Sequence, residues 1–243
     1  TTAPTVSSIA ITGATGALAS TLNAGDVVSA TVTMDSNTVV TGAPQLALNI
    51  GGTTVQASYA SGSGTTELVF TYTILANQTD TDGISVDANA LSLNSGTLTD
   101  VAGNTATITS VAVAANNSYL VDTTAPTKPG TPDLDINSDT GSSGSDDITT
   151  DTTPTVTGSG QTEGDTITLT SVVDGSVGTA VVANDGTWSI TASALTVGTQ
   201  SLTVTATDAA GNVSTPSDAL AITVDTTAPT VSSIAITGAT GAL

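Results

Sequence analysis

The residues of this sequence that could do chemistry are carboxylates. Of 243 residues, 21 are acidic and one, Lys128, is basic, which gives a formal charge of −20 at pH 7. All the acidic residues except Glu67 and Glu163 are Asp, and there is no His and no Cys. The phrase Asp-x-Ala-Gly-Asn occurs at Asp100 to Asn104 and again at Asp208 to Asn212, each time shortly before an apolar run. Asp122 and Asp225 end two long stretches of alternating sequence. An oxygen-only set of this kind suits Ca²⁺, which takes six to eight oxygens from carboxylates, Asn and main-chain carbonyls in flexible geometry. Zinc and most transition metals want nitrogen or sulfur, and Mg²⁺ gives up its water reluctantly. Left uncompensated, these charges repel one another and strain a compact state. A metal cation is the economical counter-charge.

A third acidic group comprises Asp133, Asp135, Asn137, Asp139, Asp146, Asp147 and Asp151, with Gly141 and Gly144 between them. Its start, Asp-x-Asp-x-Asn-x-Asp, resembles an EF-hand loop. It departs from that pattern because Ser138 stands where Gly is required and no Glu closes the loop. Two readings stay open, a metal-ordered loop and a solvated acidic turn. The turn reading applies to every Asp here, since Asp side chains readily accept hydrogen bonds from nearby main-chain N–H groups.

Composition excludes several functions. Nucleic acid needs Lys and Arg for its phosphates, and an anionic membrane surface needs them too, so neither is an expected partner. Catalysis is not expected: no His can act as base, no Cys as nucleophile, and Lys128 lies in a linker. Carboxylate pairs could cut glycosides, but the chain has one Trp, three Tyr and one Phe, and Trp188 and Phe70 read as core. The absence of Cys fits a bacterial surface protein or a cytosolic one.

The elements that must position these loops are β-strands. The phrase Val-Asp-Thr-Thr-Ala-Pro-Thr, at Val121 to Thr127 and Val224 to Thr230, closes one alternating run and precedes another. Proline stops strand pairing, and the residue before it is pushed to an extended conformation, so the phrase reads as a short, stiff linker. Residues 226–243 repeat residues 1–18 letter for letter, which implies an array with a period of about 225 residues. The expected organisation is residues 1–122 as a first β-sandwich repeat, 123–225 as a second, unlike repeat, and 226–243 as the start of the next copy of the first.

In the first unit the inward sets are Ile9 and Ile11; Val28, Ala30, Val32 and Met34; Leu46, Leu48 and Ile50; Val55, Ala57 and Tyr59; Leu68, Phe70, Tyr72 and Ile74; Leu91, Leu93 and Leu98; and Ile108, Val111 and Val113. Gly51-Gly52 between two such runs predicts a hairpin. The second unit offers Leu134 and Ile136, Val156, Ile167 and Leu169, Val181, Trp188 and Ile190, Leu202, Val204 and Ala206, and Leu220, Ile222 and Val224, with a hairpin turn at Asn184-Asp185-Gly186. About seven short strands per unit predict an all-β protein of two tandem Ig-like β-sandwiches. Trp188 is expected in the core rather than as a sugar-stacking platform.

Strand parity then places the loops. In a seven-stranded sandwich the loop between strands six and seven returns to the pole where the chain enters. The Asp208 loop should therefore face Asp122, with Glu163, Asp165 and Asp185 on other loops of that pole. By the same rule Asp225 should face the Asp100 loop of a following unit, and Asp80 and Asp82 should lie near the exit at Asp122.

The second unit, with Ser138-Asp-Thr-Gly141, Asp147-Ile-Thr149, Asp151-Thr-Thr-Pro154, Asp185-Gly-Thr-Trp188, Thr207-Asp-Ala-Ala-Gly-Asn212 and the closing Val-Asp-Thr-Thr-Ala-Pro, closely resembles the bacterial Ig-like repeats of giant type I-secreted Gram-negative adhesins. The first, with Tyr59-Ala-Ser-Gly-Ser-Gly64, Asp80-Thr-Asp-Gly83 and Asp100-Val-Ala-Gly-Asn104, looks like a companion repeat of the same surface proteins. The resemblance implies an extracellular stalk, anchored at the bacterial outer membrane through other parts of the chain or secreted. Such a stalk holds a distal ligand-binding domain away from the cell and is stiffened by Ca²⁺ between repeats. Its partners would be adjacent repeats of the same chain, a distal host or surface ligand bound through other domains, and other copies by lateral association. The junction ligands it implies are Asp122, Asp208 and Asn212. The competing readings are a ligand-binding adhesive module and a self-associating subunit of an extracellular fibre or sheath.

Overall fold

A computed structural model describes residues 2–234 of the chain. Every regular element among the described residues is a β-strand. The chain divides into two compact units, Thr1–Thr127 with Ala206–Ser214, and Lys128–Thr205 with Thr215–Leu243.

The main sheet of the first unit runs in the order Val6–Thr15, Val27–Thr41, Thr65–Thr73, Thr53–Ser61, Gln45–Ile50, Leu91–Ser92. Strict alternation in Val27–Thr41 sends Val28, Ala30, Val32 and Met34 to one face, where all four are buried. Opposite them on Thr65–Thr73 stand Leu68 and Phe70, paired with Val32 and Ala30. The Tyr59 ring meets Phe70 edge-on, with centroids 5.7 Å apart. Gly51 and Gly52 make the expected two-residue hairpin turn at φ +54° and +83°, a conformation only glycine adopts cheaply. Strand Val27–Thr41 shifts register between Thr33 and Thr38, and its far end pairs instead with Thr97–Thr99. A small second sheet joins Thr21–Leu22, Leu120–Asp122 and Thr79–Asp80. The linker phrase therefore begins inside a sheet: Val121 is buried and pairs with Leu22 on one side and Asp80 on the other.

One expected strand of this unit does not form. The segment carrying Ile108, Val111 and Val113 makes only an isolated bridge, Val86 to Val113, and Val111 is 79% exposed. Side chains add to the few main-chain bonds it makes, among them the Asn89 N–H to the Ser110 carbonyl at 3.1 Å. Asn89 Oδ1 accepts from the Ser110 N–H at 3.1 Å, while the Asn89 N–H donates to Ser110 Oγ at 3.2 Å. The unit closes with Leu120–Asp122.

The second unit has a three-stranded sheet, Asp133–Leu134, Thr155–Gly158, Trp188–Thr191, and a five-stranded one, Ile148–Thr149, Leu220–Val224, Gly198–Thr207, Thr166–Ser171, Gly175–Val181. Val156, Ile167, Leu169, Ile190, Leu202, Val204, Ile222 and Val224 are buried. Trp188 is 5% exposed, as a core residue should be, and it needs Gly158: a Cβ there would come within 2.2 Å of the indole. Three local expectations change. Val181 points outward, because the register shift at Leu169/Thr170 gives the inward parity to Gly178 and Val182, with Val177 entering at the irregularity. Ile136 is exposed because the strand ends at Leu134, and the next residues turn on the Asp135 carbonyl, which accepts from the N–H groups of Ser138 and Asp139. Asn184-Asp185-Gly186 is a tight turn, with the Ala183 N–H on the Thr187 carbonyl at 2.8 Å. It connects strands of different sheets rather than closing a hairpin.

Residues 226–234 form no strand. Residues 235–243, the rest of the expected third-repeat start, lie outside the described residues.

Candidate functional site

The two Asp-x-Ala-Gly-Asn loops have the same geometry. Asp100 Oδ1 accepts from the N–H groups of Ala102 (2.9 Å) and Asn104 (2.8 Å), and Oδ2 accepts from Asn104 Nδ2 at 2.8 Å. In the other copy Asp208 Oδ1 accepts from Ala210 (2.9 Å) and Asn212 (2.8 Å), and Oδ2 from Asn212 Nδ2 at 2.9 Å. Gly103 and Gly211 both sit at φ +88°, which closes the loop on the carboxylate. The sequence has this form because one Asp meets two main-chain N–H groups and the terminal Asn meets the Asp.

Asn212 also reaches main chain outside its own loop. Within the unit that holds both residues, its Nδ2 also donates to the Asp122 carbonyl at 2.9 Å. The structure thus brings Asp122, Asp208 and Asn212 together, through an amide. A side chain also reaches this loop from elsewhere in the unit, as Asn23 Nδ2 donates to the Ala210 carbonyl at 2.9 Å. The Asp122 carboxylate turns to its own chain and accepts from the Thr124 N–H at 2.9 Å. Asp225 repeats that turn with Thr227 at 2.9 Å.

The hydrogen bonds of this trio use part of its acceptor capacity. Both Asp208 oxygens already accept hydrogen bonds, and what Asn212 presents to the Asp122 carbonyl is the donor end of its amide. More broadly, no group of three acidic side chains among the described residues could hold a metal ion by itself.

The remaining predicted residues are spread over both units. Asp80, 3% exposed, accepts from the N–H groups of Gly51 and Gly83 at 2.8 Å each and from Asp82 at 3.3 Å. It lies beside Val121 in the small sheet, close to the exit as expected, while Asp82 enters this set through its main-chain N–H alone. Asp165 is buried, and its carbonyl accepts from Val182. Asp185 accepts from the hydroxyl and the N–H of Thr187, which together hold its carboxyl below the usual Asp value. Asp133 is exposed at the start of the three-stranded sheet, and Asp135 Oδ1 accepts from the N–H and Nδ2 of Asn137, at 2.9 Å each.

Asp139 differs from all of these. It is 7% exposed, Oδ2 receives a long 3.3 Å hydrogen bond from the Asp147 N–H, and Oδ1 is buried with no hydrogen-bond partner. Asp147 beside it has its carboxyl pushed up, first by burial and then by the charges of Asp139, Asp133 and Asp146.

Sequence reasoning missed two further Asp anchors. Asp35 takes the N–H and hydroxyl of Thr5 at 2.9 and 2.8 Å. Asp174 takes the N–H and hydroxyl of Thr196 at 3.0 and 2.6 Å. Both join residues more than twenty positions apart, and neither stands in a motif.

The fold and these loops define a class of protein, Ig-like β-sandwiches whose acidic turns accept main-chain hydrogen bonds. Residues 124–226 match the family model of the bacterial Ig-like domain. No curated protein matches the chain. Among solved structures, the chain resembles a domain of a biofilm-associated protein at 23% identity, covering 91% of this chain and 30% of that one, with a TM-score of 0.27. It resembles a 1.5-MDa bacterial ice-binding adhesin at 20% identity, covering 91% and 63%, with a TM-score of 0.36. A Ca²⁺-stabilized adhesin with which an Antarctic bacterium binds ice matches at 23% identity, covering 92% and 51%, with a TM-score of 0.40. The chain thus spans less than two thirds of each of these three.

Proposed function

We propose that this chain is a pair of extender repeats from a bacterial surface adhesin, with a structural role in separating a distal binding domain from the cell. The observation that carries the reading is the bacterial Ig-like domain at residues 124–226, bounded on both sides by the same proline phrase. A repeated linker between self-contained sandwiches is what an array needs, and nothing in it requires a ligand. The reading includes calcium as a stiffening ion.

Force spectroscopy of the full chain tests the extender role. Two separate unfolding events are expected, releasing about 120 and about 100 residues at roughly 3.5 Å of contour each. In parallel, the chain should pass unretained over immobilised glycans and host matrix proteins. A single non-resisting extension overturns the mechanical reading, and specific retention replaces it with the adhesive module.

A further inference from the structure

The two Asp-x-Ala-Gly-Asn loops share their hydrogen bonds but differ in what covers them. Within its compact unit, Gly211 lies under Leu18 and Asn23: a Cβ there would come within 3.0 Å of Leu18 Cδ1 and 3.1 Å of Asn23 Nδ2. Gly103, its twin, has nothing among the described residues within 4 Å of the same position, and Val101 nearby is 88% exposed. The Asp100 loop borders a hollow of about 470 Å³ whose walls include Thr2, Ala3 and Val101. The hollow therefore sits where the chain enters the first unit. Two loops of equal geometry with unequal cover point to a neighbour for the second.

The second unit carries a surface of the matching kind. Val172 and Val173, in the turn between Thr166–Ser171 and Gly175–Val181, and Val197, just before Gly198–Thr207, are each more than half exposed. Single exposed apolar residues are ordinary, whereas a patch of them marks a contact. Hydrogen bonds hold these three at one end of the unit. The Val172 N–H donates to the Ser201 carbonyl at 3.1 Å. The buried Ser171 hydroxyl donates to Gln200 Oε1 at 2.7 Å and accepts from the Val173 N–H at 3.0 Å. Gln200 Nε2 in turn donates to the Thr196 carbonyl at 2.6 Å, and Asp174 grips Thr196 from the other side. The tip is thus ordered before any partner arrives, which lowers the cost of contact. Gly198 pairs with Val224, the last residue of the final strand, so the tip flanks the point where the chain leaves the unit.

We propose that this valine tip seats on the Asp100–Asn104 loop of the copy of the first unit that follows in the array, an apolar contact that needs no cation. The occupant follows from the repeat: residues 226–243 restate residues 1–18, so a first-type unit comes next after the tip. The covered twin supplies the pattern, an aliphatic side chain laid on the glycine of the loop. Flanking carboxylates stay out of the contact, since Asp174 is held by Thr196 and Asp100 by its own loop. What meets is valine, Gly103 and Val101. The inference deepens the extender reading and rests on it for the existence of the array.

The test uses the full chain continued through residue 122 of the following repeat, which adds a third unit. The sequence has no Cys, so Val173→Cys in the second unit and Val101→Cys in the third make a unique pair. Both positions are exposed, and fluorescence of the buried Trp188 checks that the second unit is folded. A disulfide needs Cβ atoms about 4 Å apart, so closure reads direct contact. Under mild oxidation in chelator the pair should close in most molecules. Adding Val172→Ser and Val197→Ser should slow closure roughly tenfold, because the tether remains while the apolar contact is lost. A pair that stays open, closes only with added calcium, or closes as fast without the two valines overturns the proposal. Closure in a chain that shows no mechanical unfolding events refutes the extender role and leaves the contact standing. Unfolding events without closure keep the stalk and leave this junction a free hinge.

Discussion

Asp80, at the end of a short strand of the first unit, and Asp139, in a loop of the second, are both buried carboxylates, and they are used in opposite ways. Asp80 gathers three main-chain N–H groups, from Gly51, Asp82 and Gly83. Asp139 receives one long N–H bond and leaves an oxygen unmet. The difference follows from what lies near each. Asp80 sits where two glycine-bearing turns meet, and a Cβ on Gly51 would come within 1.9 Å of the Thr79 carbonyl. Donors can approach there from two sides. Asp139 faces other carboxylates. The first arrangement stabilises by itself, whereas the second leaves a buried acceptor unmet beside other carboxylates.

Substituting Asp80 should have the largest effect. Asp80→Ala strands three N–H groups in the interior and should cost the first unit about 3 kcal/mol, seen by calorimetry as a fall in one of two transitions. Next comes the contrast in sign. In chelator, Asp80→Asn should destabilise the first unit, because an amide is a weaker acceptor for three N–H groups. Asp139→Asn should leave the second unit unchanged or raise its stability by about 1 kcal/mol, because it removes a buried charge beside like charges. Equal destabilisation by both would erase the comparison. Urea unfolding followed through Trp188 reads the second variant.

A smaller effect separates the twin loops. Asn104→Ala and Asn212→Ala each remove the amide that meets their Asp, at about 1 kcal/mol. Asn212→Ala also frees the Asp122 carbonyl, so hydrogen exchange at Thr123 and Thr124 should quicken in that variant.

The mildest effect is one of pH. The hydroxyl and the N–H of Thr196 hold the Asp174 carboxyl below its ordinary value of 3.8. A depressed carboxyl contributes stability above the unfolded-state value, and that contribution is lost as pH falls through the folded-state value. Thr196→Val should therefore move the Asp174 titration, followed by carboxyl NMR, up towards 3.8 and flatten the acid limb of the stability curve. An unmoved titration contradicts the hydrogen bonds as its cause.

Much of this was legible from sequence. Period-two runs such as Val28 to Met34 fixed strands and their buried face, because alternation alone decides which side chains meet the core. The Gly51-Gly52 turn followed from positive φ, and Trp188 from its place on an alternating strand. Parity also predicted that the Asp208 loop would lie by Asp122. What sequence did not convey was how each carboxylate is spent. Asp100 and Asp208 look like free ligands in a string of letters, but their own loops fold onto them through N–H groups that no letter displays. Asp139 is one Asp among several in the sequence, and what sets it apart, a buried oxygen without a hydrogen bond, shows only in the fold. Val111 and Val181 misled because alternation gives a face without saying whether a neighbouring strand exists or where a bulge changes the parity.

The most direct measurement is a calcium titration of the full chain followed by side-chain carboxyl ¹³C NMR with labelled Asp. Asp carboxyl shifts that saturate with added calcium, with the hydrogen-bonded Asp80 still, are the predicted result. Spectra that do not change up to 10 mM calcium would contradict calcium as the stiffening ion.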